Sequence, residues 1–279
     1  MQSLSNIRCI KAACARLSLP AVEHDPNGNL ISVNVKGETL WFSNYATPFN
    51  QGVIDQICKD KEFTYKVLKD AISMPKTKAY FDPAYQKIQY APFREFSSEK
   101  EIVADIFKNF SLPMIVKMNS GSHGTHVFLC KTKEEVETAI AAIFQKNSSD
   151  YDYIALAEDY IESSAEYRVI CFDGQVVLAY LKDNSNAVFT GNLSPLHWEG
   201  AKAVLISDTT LVATLTRFLA PSFKAFPIHF GGFDVIEDKQ GNLHLLEVNS
   251  RPDFSIFIRG NGDEPVTLMY EKILVSLAK

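Results

Sequence analysis

The stretch Gly231–Phe254, GGFDVIEDKQGNLHLLEVNSRPDF, constrains this chain most. Two apolar runs flank the turn-forming residues Asp238, Lys239, Gln240, Gly241 and Asn242. That pattern predicts strands over Gly231–Glu237 and Leu243–Asn249, joined as a hairpin. Side chains alternate faces along a strand, so Glu247 and Asn249 share a face. With a four-residue connection, Asp234 lies opposite Glu247. Two carboxylates and an amide oxygen then point at one spot. Paired carboxylates without a cation repel and raise each other's pKa. Oxygen-only ligands suit a hard cation, and Mg²⁺ is typically held by one or two carboxylates plus substrate phosphates. A hairpin with its polar residues in solvent is the plain alternative. Against it, both carboxylates sit in apolar runs, GGFDVI and HLLEVN, where a charge is costly to bury unpaired.

Composition narrows the partners. The chain has 279 residues, 46% hydrophobic and 22% charged, enough for a large core divided over two or three subdomains. With 28 basic and 33 acidic residues the net charge is −5, whereas a nucleic-acid footprint is basic. No apolar run reaches the length of a membrane span. Arg8 and Lys11 interrupt the N-terminal apolar residues, so a signal-peptide core is not expected. The five cysteines are scattered and form no C-x-x-C, which fits reduced cytoplasmic thiols and argues against a zinc site or a disulfide framework.

Along the chain, Leu4, Ile7, Ile10, Cys14 and Leu17 predict a helix that ends before Pro20. Strands are expected over Leu30–Val35 and Glu38–Phe42, with helices over 51–72, the second opening at Asp60-Lys61. An irregular aromatic segment, residues 80–95, is expected to pack onto the core. Ser98 with Glu101 signals a capped helix to Asn109. The strand Leu112–Met118 carries Lys117 just before the loop Asn119-Ser120-Gly121-Ser122-His123-Gly124-Thr125, and a second strand, His126–Lys131, follows. Backbone N–H groups of such a loop can cradle phosphate oxygens, and glycine permits close approach. It is neither a Walker A loop nor a dinucleotide fingerprint. His123 and His126 have the spacing of a metal pair but no third ligand nearby.

An amphipathic helix is expected over Thr132–Gln145, then the strand Tyr153–Ile161 containing Glu158. Glu166 and Arg168 share a face of the next strand. A carboxylate suits ribose hydroxyls and a guanidinium suits phosphate oxygens. A cross-strand ion pair is the alternative. The turn Asp173-Gly174 leads to the strand Gln175–Leu181 and Lys182. Helices are expected over Ser207–Leu219 and Val266–Leu277, the last with Leu268, Ile273 and Leu277 inward.

The pieces and their order resemble the ATP-grasp ligases that join carboxylates to amines, of the glutathione-synthetase, ribosomal-modification and cyanophycin-synthetase types. The hairpin G-F-D-V-I-x-D-x-x-G-x-x-x-L-L-E-V-N-x-x-P, the run DKEFTYKVLKDAISMPKT, the strand–Lys–Gly loop, the strand–Glu connector and E-x-R carry the resemblance over residues 48–277. It implies an α+β ATP-grasp fold, two α/β lobes sandwiching ATP after a short N-terminal lead-in. Its divisions are a reduced region 1–55, linker helices 56–110, a small lobe 111–162 with the flap, and a large lobe 163–279 with the metal site. It implies Asp234, Glu247 and Asn249 as ligands of Mg²⁺, with Mn²⁺ as an alternative. Lys117 and Lys61 would reach phosphates, with Lys66 left open as a substitute for Lys61. Gly121, Ser122 and Gly124 would cover the triphosphate, Glu158, Tyr160 and Ile161 would lie beside adenine, and Glu166 on the ribose. Arg168, Lys182 and Asn192 would face the reacting groups.

The implied enzyme forms an amide or peptide bond through an acylphosphate and releases ADP. It would act in the cytoplasm on small carboxylate and amine substrates, an amino acid or a peptide, without nucleic acid or membrane, as a monomer or homo-oligomer. The sequence departs from the pattern in places. Thr190 stands where glutamate-adding ligases carry an Arg, Asp253 stands where many relatives have Gly, and His126 also replaces a common Gly. Arg251 and Asp253 could reshape the substrate side. An ATP-binding regulatory module without ligase activity is the competing reading.

Overall fold

Alternation along the strands, apolar to one side and mixed to the other, decides how this chain layers. The computed structural model describes residues 3–121 and 124–278. In α1 (Ser5–Arg16), Ile7, Ile10 and Cys14 recur at helical spacing and are buried. The helix shares a core with the antiparallel sheet β1 (Ala21–Glu23), β2 (Leu30–Val35) and β3 (Glu38–Ser43). Two short helices follow, α2 (Gly52–Lys59) and α3 (Lys61–Leu68). The Asp60 carboxylate caps α3 by accepting the Phe63 N–H.

The strands β4 (Thr77–Phe81), β5 (Met114–Met118), β6 (Val127–Cys130) and β7 (Ile154–Asp159) make an antiparallel sheet in the order β4-β7-β5-β6. The helices α4 (Glu99–Asn109) and α5 (Lys133–Ile143) back one face of it, burying Met114, Val116 and Met118 against Ile102, Ile106, Val136 and Ile140. Both helices start as their sequences direct. Ser98 accepts the Glu101 N–H, and Thr132 and Glu135 form a reciprocal capping box.

The larger antiparallel sheet has β8 (Ser163–Phe172), β9 (Gln175–Asp183), β10 (Lys202–Leu205), β11 (Phe230–Asp238) and β12 (Leu243–Asn249) in the order β10-β9-β8-β11-β12. One face packs Val169, Cys171, Phe233, Val235 and Leu245 against α6 (Thr209–Ala225), α2 and α3. The other packs Ile170, Phe172, Leu178 and Phe230 against α1, the β2–β3 hairpin, α7 (Ser255–Asn261) and α8 (Glu264–Leu277).

Three expectations need correction, and two edge strands went unread. Leu268 and Leu277 of α8 point outward, 41% and 38% exposed, while Val266, Met269, Tyr270, Ile273 and Leu274 face the core. This helix is apolar nearly all round, so spacing alone does not fix which stripe turns inward. The segment 80–95 begins as β4, and the rings of Phe81, Tyr85, Tyr90 and Tyr153 gather together. Its tip does not pack inward, since Ile88 and Phe93 are 86% and 64% exposed. The edge strands β1 and β10, three and four residues long, were not legible as strands. Finally, α6 continues past Leu219 to Ala225 with Pro221 inside it.

Asn50 joins the lead-in to the hairpin of interest. Its Nδ2 donates to the Phe230 carbonyl, and its Oδ1 accepts the N–H groups of His229 and Phe230 at 2.9 and 3.0 Å. Asn50→Ala is expected to cost about 1–3 kcal/mol, because these backbone groups lose their partner next to a buried Phe230. Urea denaturation at neutral pH checks it, and a loss below about 0.5 kcal/mol would show that water replaces the amide freely.

Candidate active site

The inner face of the large sheet is apolar at one end and polar at the other. Continuing the face of Ile170 and Phe172, the pleat presents Glu166 and Arg168 on β8, Lys182 on β9, Asp234 on β11, and Glu247 and Asn249 on β12. The register sets Asp234 opposite both Arg168 and Glu247, but not through a four-residue connection: the turn end pairs Glu237 with Leu243, and a bulge between Asp234 and Val235 brings Glu247 into place. Alternation also explains a charge inside GGFDVI. Phe233 and Val235 point into the helix-backed core, and Asp234 points the other way.

Arg168 grips Asp234 with two bonds, Nε to Oδ1 and Nη2 to Oδ2, the latter 2.8 Å. Gly232 leaves the space this needs, since a Cβ there would lie 3.1 Å from Arg168 Cδ. Lys182 Nζ bonds Glu166 and lies 3.1 Å from Asp234 Oδ1. Two cations and two carboxylates therefore interlock over three strands. Burial opposes charge on Asp234, but Arg168 and Lys182 outweigh it and hold its carboxyl below the usual range. Burial pushes the Glu166 carboxyl up; Lys182 opposes this and the Asp234 charge adds to it. Burial disfavours the Lys182 ammonium, yet Asp234 and Glu166 raise its pKa.

The opposing wall comes from the small sheet. Ile115 and Lys117 project from its helix-free face. Lys117 Nζ meets Glu158 Oε2 at 2.7 Å, with both side chains below 10% exposed, and Thr77 Oγ1 donates to the same oxygen. Lys61, at the start of α3, bridges the walls. Its Nζ bonds the Gly121 carbonyl and lies 3.7 Å from Glu247 Oε2. Lys66 instead pairs with Glu62 and is 60% exposed, so of these two lysines Lys61 is the one that lines the cavity.

The walls enclose a cavity of about 510 Å³. Lys61, Lys117, Gly121, Gly124, Glu158, Tyr160, Ile161, Glu166, Arg168, Lys182, Asp234, Glu247 and Asn249 all line it. Ser122 and His123 lie outside the described residues. Asn192 is not among the residues that line the cavity. Its Oδ1 accepts the Ser194 N–H, and its carbonyl accepts the Trp198 indole N–H, so the loop folds on itself. The same Oδ1 presses on Gly124, where a Cβ would lie only 2.0 Å away. Thr190 bonds the His197 carbonyl. Arg251 turns to Asp55, whereas Asp253 lines the cavity. Sequence reasoning missed Ile115, Leu129, Phe189, Leu193, Leu196 and Trp198. Ile115 was findable as the residue two before Lys117; the loop residues carry no periodic signal.

Among the described residues no three His, Cys, Asp or Glu side chains converge on one point. The available set is Asp234, Glu247 and the Asn249 Oδ1, which also accepts the Arg251 N–H. Such a sparse oxygen set fits a hard cation that completes its shell on phosphates.

The Lys117–Glu158 pair yields a stability test. Lys117→Met leaves a buried carboxylate with only Thr77 as partner and is expected to cost about 3–5 kcal/mol. Adding Glu158→Gln should recover most of this. Urea denaturation of both variants measures it; a single variant within about 1 kcal/mol of the parent would show that the pair does not support the fold.

Comparison with known proteins places this geometry. The sequence profile of the RimK-like ATP-grasp domain matches residues 75–266. A probable alpha-L-glutamate ligase of Aeromonas salmonicida is 30% identical over 143 residues, covering 50% of this chain and 43% of that protein. A D-alanine–D-alanine ligase of Haemophilus ducreyi is 32% identical over 161 residues, 54% and 48% of the two chains. The chain thus spans about half the length of the curated relatives it matches. The crystal structure of D-alanine–D-alanine ligase from Bacillus anthracis superposes on 80% of this chain and 66% of its own, with TM-score 0.54 at 19% identity. That likeness establishes the α+β ATP-grasp fold, and with the profile match over most of its length, this chain belongs to the RimK-like ATP-grasp family.

Proposed function

We propose that the protein is an ADP-forming ligase that joins a carboxylate to an amine through an acylphosphate, with an amino acid or peptide as substrate. The observation that carries this is the facing arrangement of two walls. One offers Lys117 and the small-residue loop, the other offers Asp234, Glu247 and Asn249, and Lys61 spans between them. The relatives named as glutamate and D-alanine ligases support the same chemistry.

In this reading the segments 111–162 and 163–279 are the two lobes around ATP. Ile115 and Leu129 give adenine an apolar bed, and the connector Glu158–Ile161 offers its backbone edge. Glu166 takes the ribose. Lys61 and Lys117 hold phosphate oxygens, and Gly121 and Gly124 lie over them. Asp234, Glu247 and Asn249 hold Mg²⁺, or Mn²⁺, which neutralises phosphate charge when bound. Arg168 and Lys182 sit where charge develops as the phosphoryl group reaches the substrate carboxylate. The amine then attacks the acylphosphate and phosphate leaves. No side-chain nucleophile is required; the residues position the reactants and stabilise charge. Asn192 acts at one remove, by closing its loop onto Gly124.

The test is ADP release, which should require a carboxylate and an amine together. ATP binding with no ADP release for any carboxylate and amine pair would favour the competing reading, a nucleotide-binding module without ligase activity. Glu247→Gln keeps shape but removes one metal ligand's charge. It should melt near the parent temperature and lose roughly 100-fold or more in turnover. Parental turnover at limiting magnesium would remove the hairpin from the metal site.

A further inference from the structure

The two ends of the cavity differ. The end between the sheets is charged. The other end, roofed by the loop from Asn184 to Trp198 and floored by α7, is apolar: Phe189, Leu193, Leu196, Trp198 and Ile256 line it. Phe189 meets Trp198 edge-on, ring centroids 5.1 Å apart at 78°, yet is 54% exposed. The Trp198 indole N–H is spent on the Asn192 carbonyl, so the ring offers the cavity an apolar surface. An aromatic pair held by its own loop and left half uncovered is a surface prepared for an apolar group.

Charge at this end points the same way. Six carboxylates and four lysine or arginine side chains line the cavity. Each of the four cations lies within 3.7 Å of a carboxylate. Asp253 lines the cavity together with these apolar residues, and Asn184, Ser194 and His197 are the polar residues that the loop adds. Asp253 Oδ1 accepts the Ser255 N–H and Oδ2 the Ser255 hydroxyl, both at 2.8 Å. Each oxygen keeps a lone pair for an ammonium group. A substrate bringing an extra carboxylate, as glutamate does, would place it between Asp253 and an apolar lining, with Arg168 and Lys182 already bonded to Asp234 and Glu166.

We infer that this site takes an α-amino acid, or a peptide end, with an apolar side chain, its ammonium group near Asp253 and its side chain against Phe189, Leu193 and Trp198. The inference deepens the ligase reading and rests on it for the position of ATP. It separates this chain from the glutamate ligases named among its relatives.

The experiment reads binding apart from turnover. The chain has two tryptophans, and Trp41 lies half-exposed on the β2–β3 hairpin away from the cavity. In Trp41→Phe protein, Trp198 alone reports. With Mg²⁺ and a non-hydrolysable ATP analogue present, L-leucine, L-methionine, L-phenylalanine or a Leu-Leu dipeptide should shift its emission saturably. L-glutamate should need at least about 10-fold higher concentration. In ADP-release assays of the parent, Trp198→Ala should raise KM for the apolar substrate about 10-fold or more while leaving KM for ATP unchanged. Glutamate binding as tightly as leucine, or no shift with any apolar probe, overturns the inference. A leucine shift without ADP release overturns the ligase reading and upholds the apolar site.

Discussion

The bidentate contact between Arg168 and Asp234 is the constraint on which this site depends. A charged pair placed on a sheet between two apolar cores survives only if each member finds its partner. That requirement fixes the register of β8 against β11, while on the other side of β11 a bulge between Asp234 and Val235 sets Asp234 opposite Glu247. Lys182 and Glu166 extend the lock to β9. A one-residue slip would turn Asp234 into the face of Phe233 and Val235 and bring those rings and methyls into the cavity. Fold and chemistry are thus specified by the same interaction.

The ion pairs also shape what ligand binding involves. Each lysine or arginine of the cavity is already matched, Lys117 with Glu158, Lys61 with Glu247, and the other two with Asp234 and Glu166. Under the proposed function, nucleotide phosphates and a divalent cation do not fill vacancies. They exchange partners: the cation takes oxygens from the hairpin while phosphates take lysines. Neither half of that exchange is favourable alone. A bare triphosphate would face six carboxylates, and a bare cation would compete with Arg168 for Asp234.

Much of this was legible in the sequence, for identifiable reasons. The hairpin could be read from period-two alternation and a turn cluster, but the bulge that completes the Asp234–Glu247 pairing leaves no period to detect. The capped helices α3, α4 and α5 could be read because a cap is a local interaction. Lys61 and Lys66 could not be ranked, since only the docking of α3 against the flap shows which one faces inward. The alternatives for Glu166 and Arg168 were both visible, and the structure holds cross-strand ion pairs, Glu166 with Lys182 and Arg168 with Asp234. The loop 184–198 was opaque, because its shape depends on contacts such as Trp198 with the Asn192 carbonyl, and irregular backbone leaves no period to detect. The misjudged face of α8 has the opposite cause, too many apolar residues rather than too few.

The space above the Gly124 Cα is filled by Asn192 Oδ1, and this has a mechanical consequence. The cover over one end of the cavity rests on the cover over the other, like the two halves of a clasp. A clasp has one opening event. Under the proposed function, the contact of Asn192 with Gly124 would make the cover over the phosphates and the cover over the substrate open together rather than independently.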